Sequence, residues 1–505
     1  MRDPLTYRVA ATPEATALVD ADRDERWSVT DLDAAVEQVA GRLAALGVRP
    51  GDRLGVCLPT RPATVRVIHA AVRLGAVLVP LGARLTPHEL ADRLARADVT
   101  ALVCDATTAT DAVAAADAAA DRGGVPDPVP VVSVDTDVGD AGERVTALGA
   151  RPPEAVVPHD WSLDATLLLP FTSGTTGAPK GVRLTLRNVL ASAVASTFRL
   201  GLDRSETWHV ALPLHHVGGL TPVLRMPLYG MTVVLRESFD ADTVAADFER
   251  YDVTATSLVP TTLDRLLDVT TGELGPSLRA VLLGGAPATT ALLDRCVERS
   301  VPVFPTYGMT ETASQISTAT PEAARANPGT VGRPLLWTDL AARDESGDEL
   351  PPGEVGELVV SGPTVSPGYL DADATDAAFG AAGLHTGDVG YRDADGRVWV
   401  IGRTDDLIVT GGENVAPAEV IEVLRDHPDV ADAAVVGVPD EEWGERVAAL
   451  VVTREGADPA ESTLEEHCRE RLANYKLPRT IRFADGIPRT ESGTVDRAAV
   501  RGRLS

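Results

Sequence analysis

Short apolar runs alternate with helical stretches over much of the chain, and this alternation constrains the fold more than any other feature. Residues 54–58, 77–80 and 101–104 are apolar runs with the length of buried strands. Between the first two, residues 65–74 read as helix. Ahead of them, Thr30-Asp31-Leu32-Asp33 is a capping-box-like helix start; Leu32, Val36, Val39, Leu43 and Leu46 then share one face, and Gly47 ends the helix. Strands separated by helices need crossover connections, which implies mostly parallel sheets covered by helices. Residues 105–125, rich in Ala, Asp and Thr, read as a solvated helix or loop. The alternation resumes near Leu167 and runs past Tyr307. From about Gly353 it gives way to short strands, 356–360 and a hairpin at 393–399. The last hundred residues have a small α+β pattern, with helices at 420–424 and 464–472 and strands at 432–438 and 446–452. The expected fold is α/β: residues 1–404 form a large domain of α/β layers plus a small β-barrel-like part, and residues 405–505 form a small α+β domain.

Composition narrows the class. Of 505 residues, 44% are hydrophobic, which excludes a disordered acidic chain. Lysine and arginine number 46 against 74 aspartates and glutamates, a net charge of −28 that disfavours nucleic acid and anionic membranes as partners. No apolar run reaches about 18 residues, and the opening Met1-Arg2-Asp3-Pro4 is unlike a signal peptide, so a soluble cytoplasmic protein without a membrane span is expected. Cys57, Cys104, Cys296 and Cys468 lie far apart without metal-ligand spacing and read as buried free thiols. Only Lys180 and Lys476 are lysines. High coding GC and adaptation to salt both favour this composition; at ~1 M salt the Debye length falls to about 3 Å and carboxylate repulsion is screened. The two are read as acting together, in a salt-adapted organism.

Six segments carry chemistry. Phe171-Thr172-Ser173-Gly174-Thr175-Thr176-Gly177-Ala178-Pro179-Lys180-Gly181 follows an apolar run; its glycines, hydroxyls and lysine suit phosphate oxygens, although the spacing is not that of a Walker A loop. The bland alternative is a flexible turn. Tyr307-Gly308-Met309-Thr310-Glu311-Thr312 offers a magnesium carboxylate beside hydroxyls, or a capped strand-to-helix turn. Gly284-Gly285-Ala286-Pro287 ends an apolar run and admits a flat ligand, or is only a tight turn. In His385-Thr386-Gly387-Asp388, with Arg403 further on, the aspartate can accept from ribose hydroxyls, or form a surface ion pair. Gly411-Gly412-Glu413-Asn414 precedes a helix. His215-His216 lacks metal-ligand neighbours in sequence and reads as a gate or packing pair.

In order and wording these segments resemble the adenylate-forming superfamily of acyl- and aryl-CoA synthetases, peptide-synthetase adenylation domains and firefly-type luciferases. The resemblance runs from about residue 5 to about residue 497. It implies an acid–thiol ligase using ATP, CoA and magnesium, which makes an acyl-adenylate and then a thioester. It assigns Thr172, Ser173, Gly174, Thr175, Thr176, Gly177 and Lys180 to the β- and γ-phosphates. Gly284, Gly285, Ala286, Pro287, Tyr307 and Gly308 belong to the adenine side, Thr310 to the α-phosphate and Glu311 to magnesium. Asp388 and Arg403 hold the ribose. Asp405 is the hinge of a mobile C-terminal domain, Gly411 and Gly412 line the pantetheine tunnel, and Lys476 matches a further cofactor-binding position.

The stretch from Gly308 to Ile316, with residues 212–220 and Trp443-Gly444-Glu445, is similar to the o-succinylbenzoate–CoA ligases of menaquinone synthesis. There His216 gates the acid pocket, with Ser314 and Gln315 near the aromatic acid. Other acyl- or aryl-CoA ligases, for fatty or benzoate-like acids, are the alternative, and a homo-oligomer is compatible with the sequence. One departure stands out: Thr494 occupies the position of the family's C-terminal catalytic lysine. That leaves open compensation by Lys180, magnesium, Arg489 or Arg497, or a catalytically reduced nucleotide-binding protein.

Overall fold

The computed structural model describes residues 1–123, 125, 129–139, 144–172, 179–410, 413–440, 443–489 and 495–504, and only the backbone of Asp405, Glu413 and Asn414. Among these, two large sheets build the first part. One runs Arg333–Pro334, Ser314–Thr318, Val303–Met309, Ala280–Leu283, Ala255–Leu258, Thr207–Val210, Thr232–Leu235, Thr16–Asp20, Glu25–Ser28 from edge to edge. Its middle is parallel, from Val303–Met309 to Thr16–Asp20, and its margins are antiparallel. The other runs Leu184–Thr185, Thr166–Leu168, Val77–Leu81, Arg53–Cys57, Ala101–Cys104, Val131–Ser133, Val145–Ala147, parallel except at its first pair. Helices such as Val29–Leu46, Pro62–Leu74 and Val217–Tyr229 fill a shared core with Leu43, Ile68, Leu78, Trp208 and Met226. Strands covered on both faces must be apolar throughout, which is why Val77–Leu81 is buried at every position.

Two local expectations are corrected. The first long helix is capped by Ser28, whose hydroxyl accepts from Asp31 N at 3.1 Å while the Asp31 carboxylate accepts from Ser28 N at 3.1 Å. The same i, i+3 spacing occurs two residues later, but Thr30 donates to Pro13 O at 3.0 Å and Asp33 pairs with Arg73. The stretch 105–125 contains the helix Ala109–Arg122, and it is not solvated all round: Ala109, Ala112, Ala115, Ala116 and Ala119 are buried. Alanine supplies a smooth face for close packing, so composition alone hid an amphipathic helix.

A smaller antiparallel sheet follows, built from Asp339–Arg343, Gly356–Ser361, Phe379–Gly380, Gly383–Arg392 and Val398–Arg403 around Ile316, Leu340, Leu358 and Leu384. The C-terminal sheet combines Ile408–Thr410, Glu413–Val415, Val430–Asp440, Gly444–Thr453 and Thr480–Phe483. Pro417–Arg425 and Glu461–Arg469 cover one face, and Arg497–Leu504 the other. The overall class is therefore α/β, a large N-terminal domain followed by a small C-terminal one. Thr290 donates to Glu422 at 2.7 Å, linking the two parts, and Arg497 pairs at 2.8 Å with Asp406 at the start of the C-terminal one. All four cysteines are buried and free. Among the described residues no helix is long and apolar enough to cross a membrane.

Candidate active site

Phe171–Thr172 pairs with Lys180–Gly181, with Thr172 opposite Lys180, so a hairpin base fixes the lysine. Ser173, Gly174, Thr175, Thr176 and Gly177, between those strands, lie outside the described residues. Residues 181–183 also run beside 366–370. Leu370 N donates to Gly181 O at 2.8 Å, and Arg183 N to Gly368 O at 3.0 Å. A Cβ on Gly181 would lie 2.7 Å from Leu370 Cδ1, so the two segments run close together and a larger residue would make the Leu370 side chain shift. It brings Tyr369 to Lys180, whose Nζ stands 5.2 Å from the ring centroid. The Tyr369 hydroxyl donates to Glu311 Oε1 at 2.9 Å. Burial, with the Glu311 charge second, pushes the Tyr369 phenol well up, so it stays a donor.

Glu311 sits on a tight tip. Val303–Met309 ends in the 3₁₀ turn Thr310–Thr312, and the chain doubles back as Ser314–Thr318. The return passes through Ala313 at φ 52° and Ser314 at φ 116°, strained values for residues with a Cβ. A Cβ on Gly308 would lie 1.7 Å from Ser314 O, so only glycine fits there. Thr310 and Glu311 are thereby presented together. Further back on the same strand, the Tyr307 hydroxyl donates to Asp388 Oδ2 at 2.7 Å. Strand register sets Asp388 opposite Arg403, with Arg403 Nε 3.7 Å from Asp388 Oδ1. Burial raises the Asp388 pKa, while Tyr307 and Arg403 pull against it. Gly284 opens the turn Gly284-Gly285-Ala286-Pro287 beside this strand, and its Cβ would meet Thr306 Cγ2 at 2.7 Å.

The residues expected near the acid have different surroundings. His215 and His216 are in ring contact, with centroids 4.1 Å apart, just before the helix Val217–Tyr229. Burial keeps both neutral, with Arg84 and Arg93 adding repulsion, and His215 falls to about 3. Gln315 is buried and donates to Thr318 at 2.8 Å. Two residues that the sequence reading did not single out belong beside these. Tyr369 gives no signal in sequence beyond Gly368-Tyr369. Arg225 does: an arginine in an apolar helix. It is buried, donates to Ser192 at 2.8 Å and Ser196 at 3.2 Å, and has no carboxylate partner among the described residues. Ser192 in turn donates to Ala313 O at 2.7 Å, next to Ser314.

A model of AMP-binding enzymes matches residues 5–370, and one of the AMP-binding enzyme C-terminal domain matches residues 419–494. The chain belongs to the AMP-binding enzyme family. A 2-succinylbenzoate–CoA ligase of Bacillus pumilus is 38% identical over 100% of this chain and 98% of its own length. The o-succinylbenzoate CoA synthetase of Bacillus subtilis, solved in complex with its acyl-adenylate intermediate, is 36% identical and superposes with a TM-score of 0.89, covering 99% of this chain and 98% of that one. The same synthetase in complex with ATP and magnesium gives 0.89 over 100% and 99%.

In this AMP-binding enzyme the remaining motif residues are scattered. Lys476 lies in the C-terminal part, where both Glu419 carboxylate oxygens accept from its Nζ at 2.7 Å. It is not brought to Lys180 or Asp388. Arg489 donates to Asp432 at 2.8 Å, and Arg497 pairs with the Asp406 that follows Arg403 by three positions. Gly411, Gly412 and Thr494 lie outside the described residues. Among the described residues no group of three or more acidic, histidine or cysteine side chains is disposed to hold a metal. The donor set fits magnesium nonetheless: the ion commonly takes one or two carboxylates and completes its shell with phosphates and water, and Glu311 beside Thr310 and Lys180 offers that.

Proposed function

We propose that this AMP-binding enzyme joins 2-succinylbenzoate to CoA in menaquinone synthesis, through an acyl-adenylate. The observation that carries the reading is the convergence of Lys180 and Tyr369 on Glu311, at one end of the 307–312 segment, and of Asp388 and Arg403 on Tyr307, at its other end. End-to-end similarity to 2-succinylbenzoate–CoA ligases supports it.

In the first half-reaction a carboxylate oxygen of the acid attacks the α-phosphorus, and pyrophosphate leaves. Positioning and charge neutralisation supply most of such catalysis. Lys180, with Thr172, Ser173, Gly174, Thr175, Thr176 and Gly177, binds the β- and γ-phosphates. Thr310 donates to the α-phosphate. Glu311 holds magnesium, which when bound neutralises phosphate charge. Tyr307, Gly308 and the turn from Gly284 to Pro287 flank adenine, and Asp388 and Arg403 take the ribose hydroxyls. In the second half-reaction the CoA thiolate attacks the acyl carbonyl, AMP leaves, and Gly411 and Gly412 line the pantetheine path. The two jobs are served by rotation of a C-terminal domain beginning at Asp405, an example of domain closure remaking one site.

The substrate is a dicarboxylate, and only one carboxylate is activated. The buried, carboxylate-free Arg225, linked through Ser192 to the turn before Ser314 and Gln315, supports a site for the second charge. Neutral His216 suits a gate over an aromatic acid. Thioester formation from ATP, CoA and a panel of acids tests the reading. 2-Succinylbenzoate should lead the panel; a fatty or benzoate-like acid in its place overturns the substrate. ATP binding without pyrophosphate release for any acid would favour the nucleotide-binding alternative that Thr494 raises. The excess of carboxylates is read as a surface for a salty cytoplasm, so the melting temperature should rise between about 0.1 and 2 M KCl as repulsion is screened. An unchanged melting temperature would leave coding bias as the origin of the composition.

A further inference from the structure

We propose that Tyr369 is the positioning residue that holds Lys180 and Glu311 apart and aimed before the nucleotide arrives. The inference rests on the reading of Lys180 as phosphate-binding and Glu311 as magnesium-binding. A lysine and a glutamate this close to one residue would ordinarily collapse into an ion pair, which must be broken before each can take its own ligand. Here they share an aromatic residue instead, and among the described residues Lys180 has no carboxylate partner. Tyr369 offers two chemically different surfaces. Its ring, whose face carries negative electrostatic potential, lies 5.2 Å from the Lys180 ammonium. Its hydroxyl donates at 2.9 Å to one oxygen of Glu311. Both contacts are weak enough to yield to phosphate and metal, and strong enough to restrict two side chains that would otherwise wander.

The ring itself is fixed. Tyr369 is buried, meets Phe379 edge-on at a centroid distance of 6.0 Å, and is bridged through its backbone to Val182. Gly368 before it takes φ 136°, a conformation that needs glycine, and Leu370 after it bonds Gly181. Glu311 is tied to the same segment a second time, since Ser366 N donates to Glu311 O at 2.7 Å. Lysine suits the ring-face role as a flexible point charge that moves readily from ring to phosphate, in contrast to the planar arginine fork.

Calorimetric titration of ATP into the full chain, across a magnesium series and in EDTA, separates the two surfaces. Tyr369→Phe keeps the ring and loses the hydroxyl. It should raise the magnesium concentration for half-maximal ATP binding about three- to tenfold and leave metal-free ATP affinity as in the parent protein. Tyr369→Leu removes both and should also weaken metal-free ATP binding about threefold or more. A Phe variant with the parent magnesium requirement overturns the proposal, as does a Leu variant no weaker in EDTA than the Phe variant. If Leu does not fold, the Phe variant alone decides. Failure of the unaltered protein to bind magnesium–ATP would instead defeat the reading of the nucleotide site, so the two failures are distinct.

Discussion

Both lysines lie near a tyrosine ring, Lys180 5.2 Å from the Tyr369 centroid and Lys476 5.7 Å from that of Tyr475, but they differ in their carboxylate partners. Lys180 faces an aromatic ring, with its charge unspent on any carboxylate among the described residues. Lys476 is held by both oxygens of Glu419 at 2.7 Å, its charge already neutralised. A cation without an anion in the resting protein is prepared for an anionic ligand; a cation in a bidentate pair contributes first to the part of the fold it belongs to. Residue type alone does not distinguish them.

The largest test of that contrast is Lys180→Met. Adenylation, followed as acid-dependent ATP–pyrophosphate exchange, should fall about 10²- to 10³-fold, the scale for losing one donor to developing charge. A fall of less than about tenfold would mean that the hydroxyl-rich loop carries the phosphates alone. Next comes the missing third lysine. Thr494→Lys should raise the exchange rate on the order of tenfold if a charge is simply absent. No gain, or a loss, would show a site rebuilt around threonine.

Asp388, proposed for the ribose hydroxyls, provides a titratable counterpart. Burial lifts the Asp388 carboxyl above its ordinary range, so it takes up a proton at a higher pH than an unfolded aspartate. Two signs follow. AMP affinity should fall as pH drops through the raised pKa, because the protonated acid accepts less well from ribose hydroxyls. The stability of the nucleotide-free chain, relative to Asp388→Asn, should rise over the same window, because the folded state binds that proton before the unfolded state does. Calorimetry and melting curves between about pH 4 and 7 read both. AMP affinity with the same pH profile in Asp388→Asn would remove Asp388 from the ribose site.

What was legible beforehand follows from how local each cause is. The parallel strands at 54–58 and 101–104 were readable because a strand covered on both faces must be apolar along its length. The segments proposed for phosphate, magnesium and ribose could be singled out because glycine turns and their polar residues are contiguous in sequence. Tyr369 was not, since its meaning lies in a backbone pairing between residues 181–183 and 366–370, far apart in the chain. The alanine face of Ala109–Arg122 was missed for a related reason: alanine is buried only when a partner approaches closely, and sequence does not name the partner. Ser28 and Thr30 both begin a capping pattern, and only the positions of Pro13 and Arg73 decide between them.

The smallest effect belongs to Lys476→Met, and it tests the other half of the contrast. The pair is partly exposed, with Glu419 at 45% side-chain exposure, so solvent screens it. Its loss should cost at most about 1 kcal/mol of stability, and less in concentrated salt, where surface charges are screened further. Adenylation should suffer at least about tenfold less than in Lys180→Met, because a lysine already neutralised by Glu419 has less charge to give a phosphate. Glu419→Gln provides the complementary case: with the pair broken from the other side, Lys476 becomes an uncommitted cation like Lys180. If Lys476→Met slows adenylation as much as Lys180→Met does, the Glu419 pair must open during turnover, and both lysines then serve the nucleotide in turn.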